Sequence, residues 1–362
     1  MGRTTPPPAV DISSVFPELG PLARPTVRLH PRAGAPGPND SSLGGPLLWP
    51  ADAPWPVCSG RLLGERREPI APADLQRFHE IQDAAHARWR PGRAVEVTTE
   101  EAAEIDRIVA GAGSLDLTAG ERVWLEPRPH QHPTPLIAVV QLYARDVPEL
   151  PFPDHTDLFQ LLWCPNWHAA PWYGPHPVTV WRSVALVRQR LVAPPAAWFE
   201  GLDHDLSERH YVPLPCVVHP ERVVEYPHSE QPSFSDLPGA LDERVRRWQQ
   251  RRKWLYWAAL STAPGTKVGG YPRWIQGPEW PVCGCGRRMG HLLTIASDEF
   301  GPQGRWLPLE DRDDPSITRP RRIMDRDAWA PHGLMLGDVG SLYLFTCTTC
   351  TERPLAGTMQ CT

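Results

Sequence analysis

Short apolar runs alternate with long stretches broken by proline and glycine, the pattern of strands joined by irregular connections. The runs at 136–143 (LIAVVQLY) and 157–163 (DLFQLLW) predict two strands, the second ending at Cys164. The runs at 291–295 (HLLTI) and 341–345 (SLYLF) predict two more, the second ending at Cys347. The alternation in 26–30 (TVRLH) reads as an edge strand. Helical signals are fewer. An alanine-rich stretch at 73–89 follows a proline, and Thr98 stands three residues before Glu101, a capping-box spacing that opens a helix over 99–110. A third helix is expected over 240–260, with Leu241, Val245, Trp248, Leu255 and Ala259 on one face. Residues 1–25, rich in proline, read as a flexible arm.

An internal duplication organises these elements. Residues 44–58 (GGPLLWPADAPWPVC) and 269–283 (GGYPRWIQGPEWPVC) agree at 7 of 15 positions without a gap. The shared residues are the paired glycines, Trp49 and Trp55 facing Trp274 and Trp280, and the closing Pro-Val-Cys. Each copy is followed by its own pair of strands, and the first has a longer span between its matched cysteines. That surplus contains the first two helices. The expected fold is therefore α+β, with two pseudo-repeats of mostly antiparallel sheet. The boundaries are 26–235 for the first repeat, with a helical insertion at 65–120, and 236–362 for the second. Matched positions make the tryptophans core anchors of each repeat.

Composition narrows the class. Proline accounts for 45 of 362 residues and glycine for 28, which argues against long bundles and coiled coils. A formal net charge of −5 speaks against a general nucleic-acid coat protein. Of the 37 basic residues only Lys253 and Lys267 are lysines, which fits the coding bias of a GC-rich bacterial genome. No apolar run approaches a membrane span, and the N-terminus has no secretion signal, so the expected location is cytoplasmic and the cysteines reduced.

In a reducing compartment, paired cysteine spacings point to a metal. Cys283-Gly284-Cys285 and Cys347-Thr348-Thr349-Cys350 each lie at a strand end or turn, and four thiolates can converge on one tetrahedral Zn²⁺. In the first copy Cys58 matches Cys283 and Cys164 matches Cys347, with His168 four residues beyond Cys164. No second cysteine follows Cys58, which favours ordinary buried thiols. Whether Cys58, Cys164 and His168 form a second metal site stays open. The run His130-Gln131-His132, set among prolines, reads as a solvated loop.

The opening Gly269, Gly270, Pro272 and Trp274, then Trp280-Pro281, Cys285-Gly286, Met289, the run 336–345 (LGDVGSLYLF) and the Cys347/Cys350 pair resemble the YwqG-like family of bacterial domains of unknown function. The first copy resembles the same family's other half, so the likeness covers most of 26–352. The second half is also similar to the N-terminal region of programmed cell death protein 2, from which Cys283-Gly284-Cys285 departs by one residue in spacing. The bacterial resemblance implies no chemistry. The eukaryotic one implies protein binding, as a dedicated chaperone of a ribosomal protein.

Catalytic motifs are missing from the sequence. His79-Glu80 begins H-E-x-x-D and not a zinc-protease motif, Gly265-Thr266-Lys267 lacks the phosphate-loop frame, and no G-x-S-x-G occurs. The run 310–314 (EDRDD) reads as a solvent-facing acidic turn. Arg244, Arg246, Arg247, Arg251 and Arg252 are dispersed around their helix, as expected for ion pairs with Asp242 and Glu243, not for a nucleic-acid face. The expected function is a non-catalytic, zinc-stabilised protein-binding module, an immunity protein or assembly chaperone, with an unidentified protein partner and no nucleic-acid or membrane partner. The alternative is a small-ligand protein or enzyme using a cleft between the repeats, with His155, Asp157, Trp163 and His168 as lining residues.

Overall fold

The computed structural model describes residues 2–90, 94–200, 209–252, 255–301, 305–318 and 329–361. Fifteen strands follow one another in the described residues. They are β1 (Arg24–Arg28), β2 (Arg32–Ala33), β3 (Ser42–Leu43), β4 (Leu62–Pro69), β5 (Ser114–Asp116), β6 (Glu121–Arg128), β7 (Ile137–Tyr143) and β8 (Leu158–Cys164). After these come β9 (His176–Arg182), β10 (Cys216–Val217), β11 (Glu221–Glu225), β12 (Lys267–Gly269), β13 (Gly290–Ala296), β14 (Ser341–Thr346) and β15 (Leu355–Gln360). The principal helices are α1 (Ile12–Val15), α2 (Pro72–Arg88), α3 (Thr99–Val109), α4 (Gly239–Gln249) and α5 (Tyr256–Ala259). The class is α+β, with antiparallel sheets.

The duplication is visible in the topology. One sheet runs β2-β10-β3-β7-β8-β9 and the other β11-β1-β12-β13-β14-β15. Each contains a meander that starts at a paired glycine, β3-β7-β8-β9 in the first copy and β12-β13-β14-β15 in the second. The register slips at Ala138/Val140 in the first and at His291/Leu293 in the second, the same place relative to the matched cysteines. A bulge aims the following side chains and is a built feature.

The remaining strands join the sheets. β1 pairs with β11, β2 pairs with β10, and both pairings keep one register, from Arg24↔Glu225 to Ala33↔Cys216. They form a single bent ribbon that leaves one sheet and enters the other at 29–31 and 218–220. At the bend, His219 N donates to Leu29 O at 2.7 Å and Leu29 N to Thr266 O at 2.9 Å. Inner faces of both sheets then share one core that includes Val27, Leu43, Val140, Phe159, Trp163, Leu293 and Leu344.

Several expectations are corrected here. β1 is interior, with β11 on one side and β12 on the other, and Thr26 to His30 are all buried. Its polar residues misled because each finds a partner inside. Arg28, 1% exposed, donates to Trp306 O at 2.9 Å and Glu299 O at 3.1 Å, and His30 Nε2 meets Glu221 at 2.8 Å. Residues 2–25 are no loose arm. Ile12, Phe16 and Leu19 pack on Leu241, Val245 and Tyr256, and Thr4 N donates to Glu310 Oε2 at 2.8 Å. Asp311, expected on a solvent-facing turn, is buried and pairs with Arg3 at 3.2 Å and with Arg32. The helix expected over 240–260 is α4 and α5 with a break between them, where Gln249 Oε1 accepts from Tyr256 N at 2.7 Å. The expected ion pairs on α4 do form, Arg246 with Asp242 at 2.9 Å and Arg247 with Glu243 at 3.3 Å.

Contacts divide the chain into residues 1–60 with 131–362, and a separate unit of 61–130. The insertion is thus wider than 65–120 and carries a sheet of its own, β4-β6-β5, beside α2 and α3. The capping box of α3 is present: Thr98 Oγ1 accepts from Glu101 N at 3.2 Å and Glu101 Oε2 from Thr98 N at 2.8 Å. The division also sets aside a boundary at 235/236, because β1 and β2 from the start of the chain pair with β11 and β10.

Lys267 and Glu225, both fully buried, pair at 2.6 Å beside the second double glycine. Glu225 also accepts from Ala263 N at 2.7 Å and Tyr271 N at 2.9 Å. A Cβ on Gly270 would come within 2.3 Å of its carboxylate, so glycine is required where the backbone closes over this charge. Lys267→Met strands the carboxylate and is expected to cost about 3–5 kcal/mol in urea unfolding. Three histidines add a pH dependence. Burial lowers His30 to about 4 and His228 and His291 to about 3, so each stays neutral in the folded chain. Below the ordinary value of 6.5 the unfolded chain binds these protons first, and stability is lost as pH falls toward 4. The expected slope is up to about 1.4 kcal/mol per pH unit for each histidine, read from urea midpoints between pH 7 and pH 4.

Candidate metal centres

The four cysteines singled out by spacing meet. The ligand atoms of Cys283, Cys285, Cys347 and Cys350 all lie within 4.8 Å of one another. Cys283 Sγ is 3.7 Å from Cys350 Sγ, and Cys285 Sγ is 3.7 Å from Cys347 Sγ. An ion bound by four sulfurs at about 2.3 Å has a tetrahedron edge of about 3.8 Å, so these separations suit it. They exceed a disulfide bond of about 2.05 Å, and all eight cysteines are free thiols.

Two tight turns make the group. In the first, Val282 bridges Arg288, Cys283 N donates to Arg287 O at 2.8 Å, and Gly286 N returns to Cys283 O at 2.8 Å. Gly286 has φ +82°, a conformation that glycine adopts without strain, and it lets the C-x-C pair turn both sulfurs to one side. In the second, Cys347 follows β14 directly and Cys350 lies in the turn before β15. Beneath both lie Trp274, Tyr343 and Phe345, with Trp274 and Phe345 stacked at 6.1 Å. Asp236 accepts from both matched indoles, Trp274 at 2.6 Å and Trp280 at 2.7 Å. Hydrogen bonds from the backbone at Cys350, with that at Thr349, draw the Cys347 thiol down to about 6, a thiolate at neutral pH. Hydrogen bonding among the neighbouring thiols, Cys283 first, pushes Cys350 up to about 12. The cluster thus offers an ion one ready thiolate and releases protons as the others bind.

The first copy holds a second group. Cys58, Cys164 and His168 bring their ligand atoms within 4.8 Å of one another, with His168 Nε2 3.2 Å from Cys58 Sγ. His168 is 1% exposed, and its Nδ1 lies 3.1 Å from Gly174 O. A carbonyl only accepts, so Nδ1 carries the proton and the Nε2 lone pair faces the sulfur, the orientation a metal-ligating histidine needs. Gly60 N donates to Cys58 Sγ at 3.3 Å, and a Cβ on Gly60 would come within 2.7 Å of the His168 ring. Burial first, and then Cys58, raises the Cys164 thiol, which stays protonated until an ion displaces the proton. As in the second copy, the group rests on a tryptophan pair, Trp49 and Trp55 at 4.9 Å.

The question left open by the sequence is answered in geometry: these three side chains do converge. Their absence from a spacing search follows from the substitution of a histidine after Cys164 for a second cysteine after Cys58. Laying Cys58 on Cys283 and Cys164 on Cys347 was the available signal. The run 130–132 divides, His130 ending the smaller unit and His132 packing on Trp198 at 5.3 Å in the larger.

The residues offered for an inter-repeat cleft do not come together. Trp163 is wholly buried in the core and donates to Tyr211 O at 2.8 Å. Asp157 caps Val184 N at 2.7 Å, and His168 belongs to the group just described. Among the described residues, no helix is long and apolar enough to cross a membrane. No family model matches the chain, and no curated protein matches it.

Elemental analysis of the purified chain is expected to find about two metal ions per molecule. Cys347→Ser removes one and Cys164→Ser the other. Metal-free protein with an unchanged unfolding midpoint would reject both centres.

Proposed function

We propose that the chain is a zinc-stabilised, non-catalytic protein-binding module of the cytoplasm, acting as an immunity protein or an assembly chaperone. The observation that carries this reading is the four-thiolate group. Four protein donors complete a tetrahedral ion and leave no position for a reacting water, so the ion serves to clip two turns together. Zinc is the metal of choice, because thiolate and imidazole donors at tetrahedral spacing suit it and it brings no redox chemistry. In small zinc modules such binding supplies about 10–16 kcal/mol, ample support for a proline-rich chain.

Protein binding is supported by apolar side chains left outside the core. Leu186, Val192 and Trp198 are 78%, 91% and 56% exposed along one stretch that has little regular structure. The resemblance to programmed cell death protein 2 points the same way. Affinity capture of the tagged chain from its native host is expected to recover a stoichiometric protein partner. Leu186→Asp with Val192→Asp should lose that partner while retaining metal content. Consistent failure to recover a partner, or one indifferent to these changes, overturns the reading.

A second reading, binding of a small ligand, is favoured by one specific observation: a cavity of about 480 Å³ lined from residues 228–341, by the second repeat and the segment that leads into it.

A further inference from the structure

The cavity is walled by half-buried Trp257 and Trp329 and by Trp274, and its volume falls in the range of small-molecule sites. Three polar side chains face it with unused bonding capacity. The Arg273 guanidinium lies 5.3 Å over the Trp257 ring and makes no ion pair or side-chain hydrogen bond among the described residues. Gly301, at φ +68°, lies against this guanidinium, where a Cβ would come within 2.7 Å of Nη1. His228 is 1% exposed, and its buried Nε2 has no hydrogen-bond partner, while Nδ1 sits 3.3 Å from Thr262 Oγ1. Asp298 Oδ1 accepts from Phe300 N at 3.3 Å and Gly301 N at 3.1 Å, which leaves Oδ2 uncommitted among the described residues.

Charge bookkeeping selects the ligand. Lys267 also lines the cavity but is already neutralised by Glu225. Arg273 and Asp298 face the same space, yet are too far apart to pair with each other. Glu230 adds a second carboxylate at the exposed rim. An anion alone would leave the carboxylates unanswered, and a cation alone would leave the guanidinium so. A buried polar group without a partner is costly, and a bidentate guanidinium–carboxylate pair is among the stronger recognition contacts. Aromatic walls favour an apolar body and stabilise an ammonium.

We propose that this cavity binds a small zwitterion, a free α-amino acid with an apolar or aromatic side chain. Its carboxylate is held by Arg273 and His228 Nε2, its ammonium by Asp298, and its side chain by the tryptophans. None of the side chains that would hold the ligand belongs to a metal group or to the exposed stretch 186–198, so failure of this site leaves the proposed function untouched.

Isothermal titration of the full chain tests it with L-phenylalanine, L-leucine and L-methionine, alongside two isosteres. One is 3-phenylpropanoate, which lacks the ammonium, and the other is 2-phenylethylamine, which lacks the carboxylate. At least one amino acid is expected to bind saturably, and L-phenylalanine about tenfold or more tighter than either isostere if it is that one. Arg273→Gln is expected to erase the advantage over the amine, and Asp298→Asn the advantage over the acid, with metal content unchanged. Should either variant fail to fold, the ranking of ligands on the unaltered chain decides. No saturable binding of any of the three amino acids up to about 10 mM, or equal binding of an isostere, overturns the proposal.

Discussion

The bent ribbon formed by residues 24–33 and 216–225 is the constraint on which the rest of the architecture hangs. Its strands hold one register while leaving one sheet for the other, so every backbone group along the bend must find a partner in two different sheets. The exchange between Leu29, His219 and Thr266 meets that demand. It also explains why charge is buried here. Arg28, His30, Glu221, Glu225 and Lys267 lie on the ribbon or its immediate neighbour, where side chains that would point to water on a lone sheet are covered. Such groups are tolerated only when paired or hydrogen-bonded: Lys267 pairs with Glu225, His30 bonds Glu221, and Arg28 donates to the Trp306 and Glu299 carbonyls. The ribbon makes the duplicated halves mutually dependent. β1 and β11, both ahead of the second repeat, complete the second sheet, and β2 and β10 continue the same ribbon into the first.

Within that frame the two copies use one device twice. In each, a meander begins at a double glycine, a bulge interrupts its second strand, a tryptophan pair packs below, and a cysteine closes its third strand. The turns that carry the ligands are rich in proline and glycine and bury little apolar surface of their own. An ion crosslinking them would replace the packing they lack. The copies differ in how the set is filled: a C-x-C turn in one, and in the other a histidine locked by Gly174. The same geometric need has been met by different residues.

What could be read from the sequence follows from this physics. Strands β7, β8, β13 and β14 were legible because buried meander strands are continuously apolar, and the four-cysteine group because its spacing is local on each side. The 61–130 unit hid its strands. β4 (LLGERREP) and β6 (ERVWLEPR) belong to a small sheet exposed over much of its surface, and polar strands look like loops. β1 looked like an edge because Arg28 and His30 alternate with apolar neighbours, and no local pattern tells that both faces are covered. Leu19 in a proline-rich arm, and Lys267 among arginines, likewise owe their burial to residues far away in the chain. The cavity was beyond reach for the same reason, since Arg273, Asp298 and His228 share no spacing.

The four-cysteine group and the cavity are not remote from each other. Trp274 is 1% exposed, lies under the four-cysteine group against Phe345, and also forms part of the cavity wall. Its indole N–H is tied to Asp236 together with that of Trp280, the residue that leads into the C-x-C turn. An ion that holds this turn therefore holds the tryptophan pair, and with it one face of the cavity. A closed thiolate site performs no chemistry of its own, yet here the four-cysteine group stands one side chain away from a recess of about 480 Å³. Structural support and molecular recognition then need not be separate inheritances of the two copies. In the copy that carries four thiols, the tryptophan beneath them also faces an open space.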